Sequence, residues 1–122
     1  MKIFPAIDIK DKKCVRLIKG DFDNKTEYKM SPVDQAEKYK DHGFKNIHIV
    51  DLDGALTGET INLDIIQEIV SKFDLKIVIG GGIRNFDSIQ KYNDVGVDKV
   101  ILGSAAIKDK SFLKEACKKF SN

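Results

Sequence analysis

The chain has 122 residues, enough for one domain with a real core and about half the ~250 residues of a complete (βα)8 barrel. Its 21 basic and 19 acidic side chains leave a formal charge of +2, which argues against a dedicated nucleic-acid or membrane surface. No apolar run approaches the roughly 20 residues of a membrane span, and Met1 to Pro5 lead straight into a strand-like run instead of a secretory leader. Cys14 and Cys117 lie far apart and fit no metal spacing, so the expectation is a cytoplasmic protein with two reduced core thiols.

Taken in chain order, the first predicted element is a strand over Ile3–Ile9, followed by a short strand over Cys14–Ile18 that pairs back near the first. Lys19–Met30 is polar, begins at a glycine and reads as a long loop, a type that tends to carry function. Ser31-Pro32 is an N-cap followed by proline at the first helical position, opening a helix that ends before Gly43, with His42 as a C-terminal cap. A strand follows over Asn46–Asp51, then a helix whose Ile65, Ile66, Ile69, Val70 and Phe73 form one apolar stripe. Leu75–Ile79 is the next strand, and a helix runs from near Asn85 to about Val95 with Gly96 just past its end. Lys99–Leu102 is the last strand, and the last helix, Asp109 to Phe120, carries Phe112, Leu113, Ala116, Cys117 and Phe120 on one face. Near-continuous Ile and Val predict strands buried on both faces of a parallel sheet.

The order is (βα)4 with one extra strand: an α/β fold in one domain, residues 1–122. A weak internal repeat lays Gly43–Asp51 over Gly96–Ser104, which makes Asp51 and Ser104 equivalent at strand C-terminal ends.

Parallel α/β folds bind ligands at the carboxyl ends of their strands. Asp8 stands within an apolar run, where a carboxylate is costly to bury unless paired, and partial burial would tune it toward general-base work. The same residue could instead accept backbone hydrogen bonds or pair with Lys10 or Lys12. Gly80-Gly81-Gly82 before a helix start, with Gly103-Ser104 at the next strand end and Arg84 nearby, forms a phosphate-site candidate. Tight βα turns use glycine for steric reasons as well. His48 reads as a packed core histidine. Asp51 and Asp53 have no further ligands clustered with them, so no metal site is expected.

Pro5 to Leu17 (PAIDIKDKKCVRL), followed by Lys19-Gly20-Asp21, resembles the start of the histidine-biosynthesis family of phosphoribosylformimino-5-aminoimidazole carboxamide ribotide isomerases. Val50–Ala55 (VDLDGA), Gly58-Glu59, Asn62-Leu63, Gly80–Arg84 (GGGIR) and Gly103–Ala106 (GSAA) continue the likeness over essentially the whole chain. The sister family, the cyclase subunit of imidazole glycerol phosphate synthase, shares the GGGI turn but lacks the Asp-Leu-Asp-Gly-Ala pattern. The resemblance implies a TIM-type (βα)8 barrel and an Amadori aldose-to-ketose rearrangement without cofactor or metal. It places Asp8 as the catalytic base of strand one, with a second aspartate on strand five as acid. Gly81, Gly82, Gly103 and Ser104 match one of two phosphate grips, and Arg16, Gly20, Asp51 and Arg84 fall where the family contacts or frames its phosphorylated substrate.

These 122 residues match the N-terminal half of that family, four of eight βα units. The expectation is a half barrel completed by homodimerisation, with the partner's Asp8 in the place of the strand-five acid. Two alternatives stand beside it: a non-catalytic phosphate-binding half barrel, and a flavodoxin-like monomeric binding domain.

Overall fold

The structure is a computed structural model that describes residues 1–120. Its elements are β1 (Ala6–Lys10), β2 (Lys13–Ile18), β3 (Asp21–Glu27), α1 (Pro32–Asp41), β4 (Asn46–Asp51), α2 (Leu52–Thr57), α3 (Leu63–Lys72), β5 (Lys76–Gly80), α4 (Phe86–Asp94), β6 (Lys99–Val100), α5 (Ser104–Lys108) and α6 (Lys110–Phe120). One sheet runs β3-β2-β1-β4-β5-β6, with β1, β4, β5 and β6 parallel and the β2–β3 hairpin antiparallel at one side.

The parallel strands follow one another in chain order without a reversal. Right-handed crossovers that always step the same way put every connecting helix on one face of the sheet. A doubly wound sheet reverses direction and carries helices on both faces. The flavodoxin-like alternative therefore fails, and the order is that of half a (βα)8 barrel.

Burial follows strand parity. Ile7, Ile9, Ile47, Ile49, Ile77 and Ile79 are at most 2% exposed, and they join Ala36, Ile66, Ile69, Ile89, Tyr92 and Phe112 of the helices in one core cluster. The alternate residues Asp8, His48, Val50 and Val78 are only half-buried. The expectation of strands buried on both faces is thus corrected, because the helices cover one face only.

Helix ends obey local capping chemistry. The hydroxyl of Ser31 accepts from Asp34 N at 3.1 Å, the Asn85 side chain from Ser88 N at 2.9 Å and that of Asp109 from Phe112 N at 3.0 Å. His42 caps α1, its Nδ1 lying 2.7 Å from Lys38 O. Gly43 and Gly96 follow α1 and α4 at nearly the same left-handed angle, φ +92° and +94°, so the sequence repeat has a matching backbone geometry.

Four expectations need correction. The first strand begins at Ala6 instead of Ile3, and β6 is two residues long. Lys19–Met30 is not a loop, because Lys19 and Gly20 form a two-residue turn at positive φ and Asp21–Glu27 pair back on β2 as an edge strand. The short helix α2 follows β4 directly, and the short helix α5 begins three residues past the end of β6. Cys14 is a buried thiol that burial pushes up to about 11, but Cys117 is exposed, since it lies at the rim of α6 beside the uncovered β6 edge.

Candidate functional site

The register of the sheet lines up the open face. Asp8 stands opposite Val50 across the β1–β4 pair, and Val50 stands opposite Gly80 across the β4–β5 pair. His48 lies one step back on the same face, opposite Ala6 and Val78. Asp8, Val50 and Gly80 thus form one lateral row, with the glycine turns just beyond it.

Asp8 makes no hydrogen bond or ion pair with another described side chain: Lys10 pairs with Asp11 at 3.2 Å and Lys12 with Asp64 at 3.0 Å. Burial pushes its carboxyl above the ordinary carboxylate range, and the nearby His48 imidazole pulls it partly back. The lysine-pairing alternative is therefore not what the fold does with Asp8. Its carboxylate stays free on the uncovered face.

Asp8 and Arg16 both line a cavity of about 410 Å³, together with Tyr28, Gln35 and Tyr39. Val15, not Arg16, stands opposite Asp8 in the hairpin, so Arg16 leaves the strand on the other side and reaches the same cavity where β2 splays from the start of β1. Gly20 lies at the exposed tip of the β2–β3 turn, away from this row.

The triple glycine is explained first by packing. A Cβ on Gly81 would strike Asp51 O, and one on Gly82 would strike Gly54 O, at φ +116° and +72°. The loop after β5 thus locks backbone to backbone against the last residue of β4 and the first turn of α2. Gly103 differs, because a Cβ there would meet nothing within 4 Å. Since β5 pairs with β6, the Gly82 and Gly103-Ser104 turns are neighbours at the strand ends, and Gly103 and Ser104 are exposed.

Asp51 and Arg84 take structural positions. Asp51 is fully buried, caps α2 by accepting from Gly54 N at 2.9 Å, and accepts from the Asn62 amide at 2.8 Å. Burial raises its carboxyl, the Gly54 N–H and the Asn62 amide partly offset this, and the charge of Asp53 adds to the rise. The same Asn62 amide donates to Asp53 Oδ2 at 2.9 Å, and that oxygen also accepts from Asp11 N at 2.9 Å. This staple holds the β1–β2 turn, whose Asp11 and Lys12 both sit at positive φ without being glycine. Arg84 donates from Nη2 to Ala55 O at 2.8 Å and packs over Gly58, tying down the end of α2. Sequence reasoning missed Asn62 as the hub of this staple. Asn62 stands in the family-like motif and in a capping position before α3, but in the structure its side chain makes no cap bond and serves the two aspartates instead.

Among the described residues, no three His, Cys, Asp or Glu side chains gather as a metal site, and no helix is long and apolar enough to cross a membrane.

Residues 2–122 match the family described as Histidine biosynthesis protein. The chain belongs to this family. It is 82% identical over its whole length to the 1-(5-phosphoribosyl)-5-((5-phosphoribosylamino)methylideneamino)imidazole-4-carboxamide isomerase of Pelagibacter ubique, strain HTCC1062, covering 51% of that protein. It is 50% identical to the isomerase of the same name from Chlorobium phaeovibrioides over 97% of the chain, and 50% identical to that of Bacillus thuringiensis over 95%. In those two the chain covers 46% and 48% of the relative. The chain thus spans about half the length of the curated relatives it matches, in keeping with half a barrel.

Proposed function

We propose that this chain provides the N-terminal half of an isomerase active site that converts a bis-phosphorylated imidazole carboxamide ribotide from aldose to ketose. The observation that carries the reading is Asp8: an unpaired, partly buried carboxylate on the uncovered face, level with the glycine turn of β5.

An aldose-to-ketose step on an aminated sugar needs four proton movements. An acid protonates the ring oxygen, and the ring opens to a protonated imine at carbon 1. A base then removes the proton from carbon 2, which leaves an enol conjugated to the nitrogen. Return of a proton to carbon 1 and loss of the enol proton give the ketone. Asp8 is the base, with a carboxyl raised toward the range in which it can both accept and return a proton. Gly82, Gly103 and Ser104 hold one phosphate through backbone N–H groups and a hydroxyl. Gly81 supports that turn from behind.

The acid and the second phosphate grip come from a second copy of the chain, which places its own Asp8 across the shared mouth. Two features favour this homodimer. The sheet has a free edge at β6, and an apolar groove of about 410 Å³ lined by Ile89, Val100, Leu102, Leu113, Ala116 and Phe120 opens beside it. The half-exposed Ile101 stands on the open side.

The test is isomerase turnover on the ribotide over a wide range of protein concentration, with Asp8→Asn as control. Rate rising more steeply than concentration and then linearly, with the variant inactive, supports the reading. Phosphate-ligand binding without turnover in the self-associated chain would leave a binding half barrel whose chemistry lies elsewhere.

A further inference from the structure

Three buried side-chain atoms lack a hydrogen-bond partner among the described residues: His48 Nε2, Asp51 Oδ2 and Asn62 Oδ1. His48 stands alone, but Asp51 and Asn62 are bonded to each other and both are fully closed to water. Buried polar atoms in folded proteins are paired, and leaving one orphaned is costly. Here two orphans share one cluster, and both are acceptor oxygens.

A single proton removes both. The carboxyl of Asp51 and the amide of Asn62 are planar groups that already meet through Asn62 Nδ2 and Asp51 Oδ1 at 2.8 Å. The orphans are the remaining oxygens of these same two groups. Asp51 at 2.8 Å and Asp53 at 2.9 Å use both hydrogens of Asn62 Nδ2, which fixes the amide orientation and leaves Oδ1 in need of a donor. A protonated Oδ2 on Asp51 is such a donor, and acid and amide then close into a doubly bonded pair.

The groups around Asp51 favour that proton. α2 presents Asp53, whose charge opposes ionisation, and α4 presents Tyr92, a buried phenol. β1 presents Ile9 opposite in register, and the loop after β5 presents the backbone of Gly81. The β1–β2 turn presents Asp11, whose carboxylate is engaged by Lys10 and Lys25. Gly54 N–H and Asn62 favour the charged form, but burial outweighs them. Asp51 takes part in none of the ion pairs among the described residues.

We propose that Asp51 is held in the folded chain as a neutral acid donating from Oδ2 to Asn62 Oδ1, and that loss of this proton to solvent opens the Asn62–Asp53–Asp11 staple and frees the β2–β3 hairpin. An ionised Asp51 puts two carboxylates on one amide. Asp51 is enclosed, whereas Asp53 is only half-buried and is the one able to leave. Its departure breaks the bonds to Asn62 and to Asp11 N–H, and the β1–β2 turn, strained at two non-glycine positions with positive φ, loses its anchor. The hairpin carries Arg16, which lines the same cavity as Asp8, so the staple sets whether that cavity stays framed. The folded chain holds the Asp51 proton to higher pH than an exposed aspartate does, so the latch is closed at low pH and opens as pH rises through the folded value. This latch operates whatever ligand the mouth takes.

The experiment labels the aspartate carboxyl carbons of the 122-residue chain and follows them by NMR against pH, in the parent and in Asp8→Asn, where the other raised carboxyl is gone. Amide exchange at Asp11 is followed over the same range as protection, its rate relative to an unstructured peptide at the same pH. The expected result is an Asp51 carboxyl that ionises well after the exposed Asp64, with Asp11 protection falling about tenfold at the same midpoint and the Ile49 amide unchanged. Asp51→Asn, which sets an uncharged, permanent donor at the Oδ2 position, is expected to keep Asp11 protected throughout. Asp53→Asn removes the opposing charge and is expected to move the Asp51 midpoint to lower pH. An Asp51 carboxyl that ionises together with Asp64 overturns the neutral acid. Late ionisation with flat Asp11 protection overturns the latch, as does a pH dependence that persists in Asp51→Asn. If Asp51→Asn fails to fold, the titration of the parent decides between these outcomes by itself.

Discussion

The two faces of the central sheet are built from the same strands and differ in everything else. On the helix side, Ile7, Ile9, Ile47, Ile49, Ile77 and Ile79 are closed off from water and packed into one cluster with the helices. On the other side, one residue along, stand Asp8, His48, Val50, Val78 and Gly80, half-covered or without a side chain, and with a free carboxylate and an unpartnered nitrogen. A strand turns successive side chains to opposite faces, so parity alone separates the residues that hold the fold from those available for chemistry. Stability and function can then vary with little interference, even at adjacent positions.

The sharpest test of this separation is at the rim, where the two roles come closest. Gly82→Ala drives a methyl into Gly54 O at positive φ and is expected to cost about 4 kcal/mol or prevent folding, measured by urea denaturation. Gly103→Ala, with open space around it, is expected to cost far less and to show instead as weaker phosphate binding by calorimetry. Equal losses of stability would break the distinction between a turn locked by packing and one that packing leaves open.

Within the sheet, Ile49→Ala should cost about 3 kcal/mol and lower the denaturation midpoint at unchanged slope, whereas Val50→Ala, its neighbour on the open face, should cost about 1 kcal/mol or less. Comparable values would mean that the open face is as tightly covered as the closed one. Asn62→Ala removes the donor shared by Asp51 and Asp53 and is expected to cost about 2 kcal/mol. It should also speed amide exchange at Asp11, whose N–H rests on Asp53.

The smallest effect concerns pH. Burial raises the Asp8 carboxyl in the folded state, so the folded chain binds more protons than the unfolded one between the ordinary carboxylate pKa and the raised value. Stability contributed at Asp8 therefore falls as pH rises through that window. Asp8→Asn should flatten this dependence and leave the chain slightly more stable at neutral pH, while removing turnover. A variant less stable than the parent at neutral pH would show that the carboxylate supports the fold.

Much of this architecture was legible in the sequence because its signals are local. Ser31-Pro32 and Asn85 announce helix starts through capping chemistry, and the isoleucine runs announce strands by composition. Asp8 stands out as a carboxylate among isoleucines. What escaped depends on partners distant in the chain. β3 is rich in Asp, Asn and Lys and owes its strand state to pairing with β2, not to its own propensity. Helices α2 and α5, at six and five residues, are too short to display a period. The role of Asn62 exists only once two aspartates of another segment reach it. The orphan state of His48 Nε2 is a property of one atom in the folded sheet, and no pattern of residue types encodes it.

The backbone interlock at Gly81 and Gly82 also has an evolutionary consequence. With the carbonyls of Asp51 and Gly54 pressed against these two positions, this rim segment admits no side chain and cannot acquire new contacts by point substitution. Its neighbour at Gly103 is unobstructed. The β5 turn is therefore held invariant by the fold itself, whereas any restriction on the β6 turn has to come from the ligand that it holds.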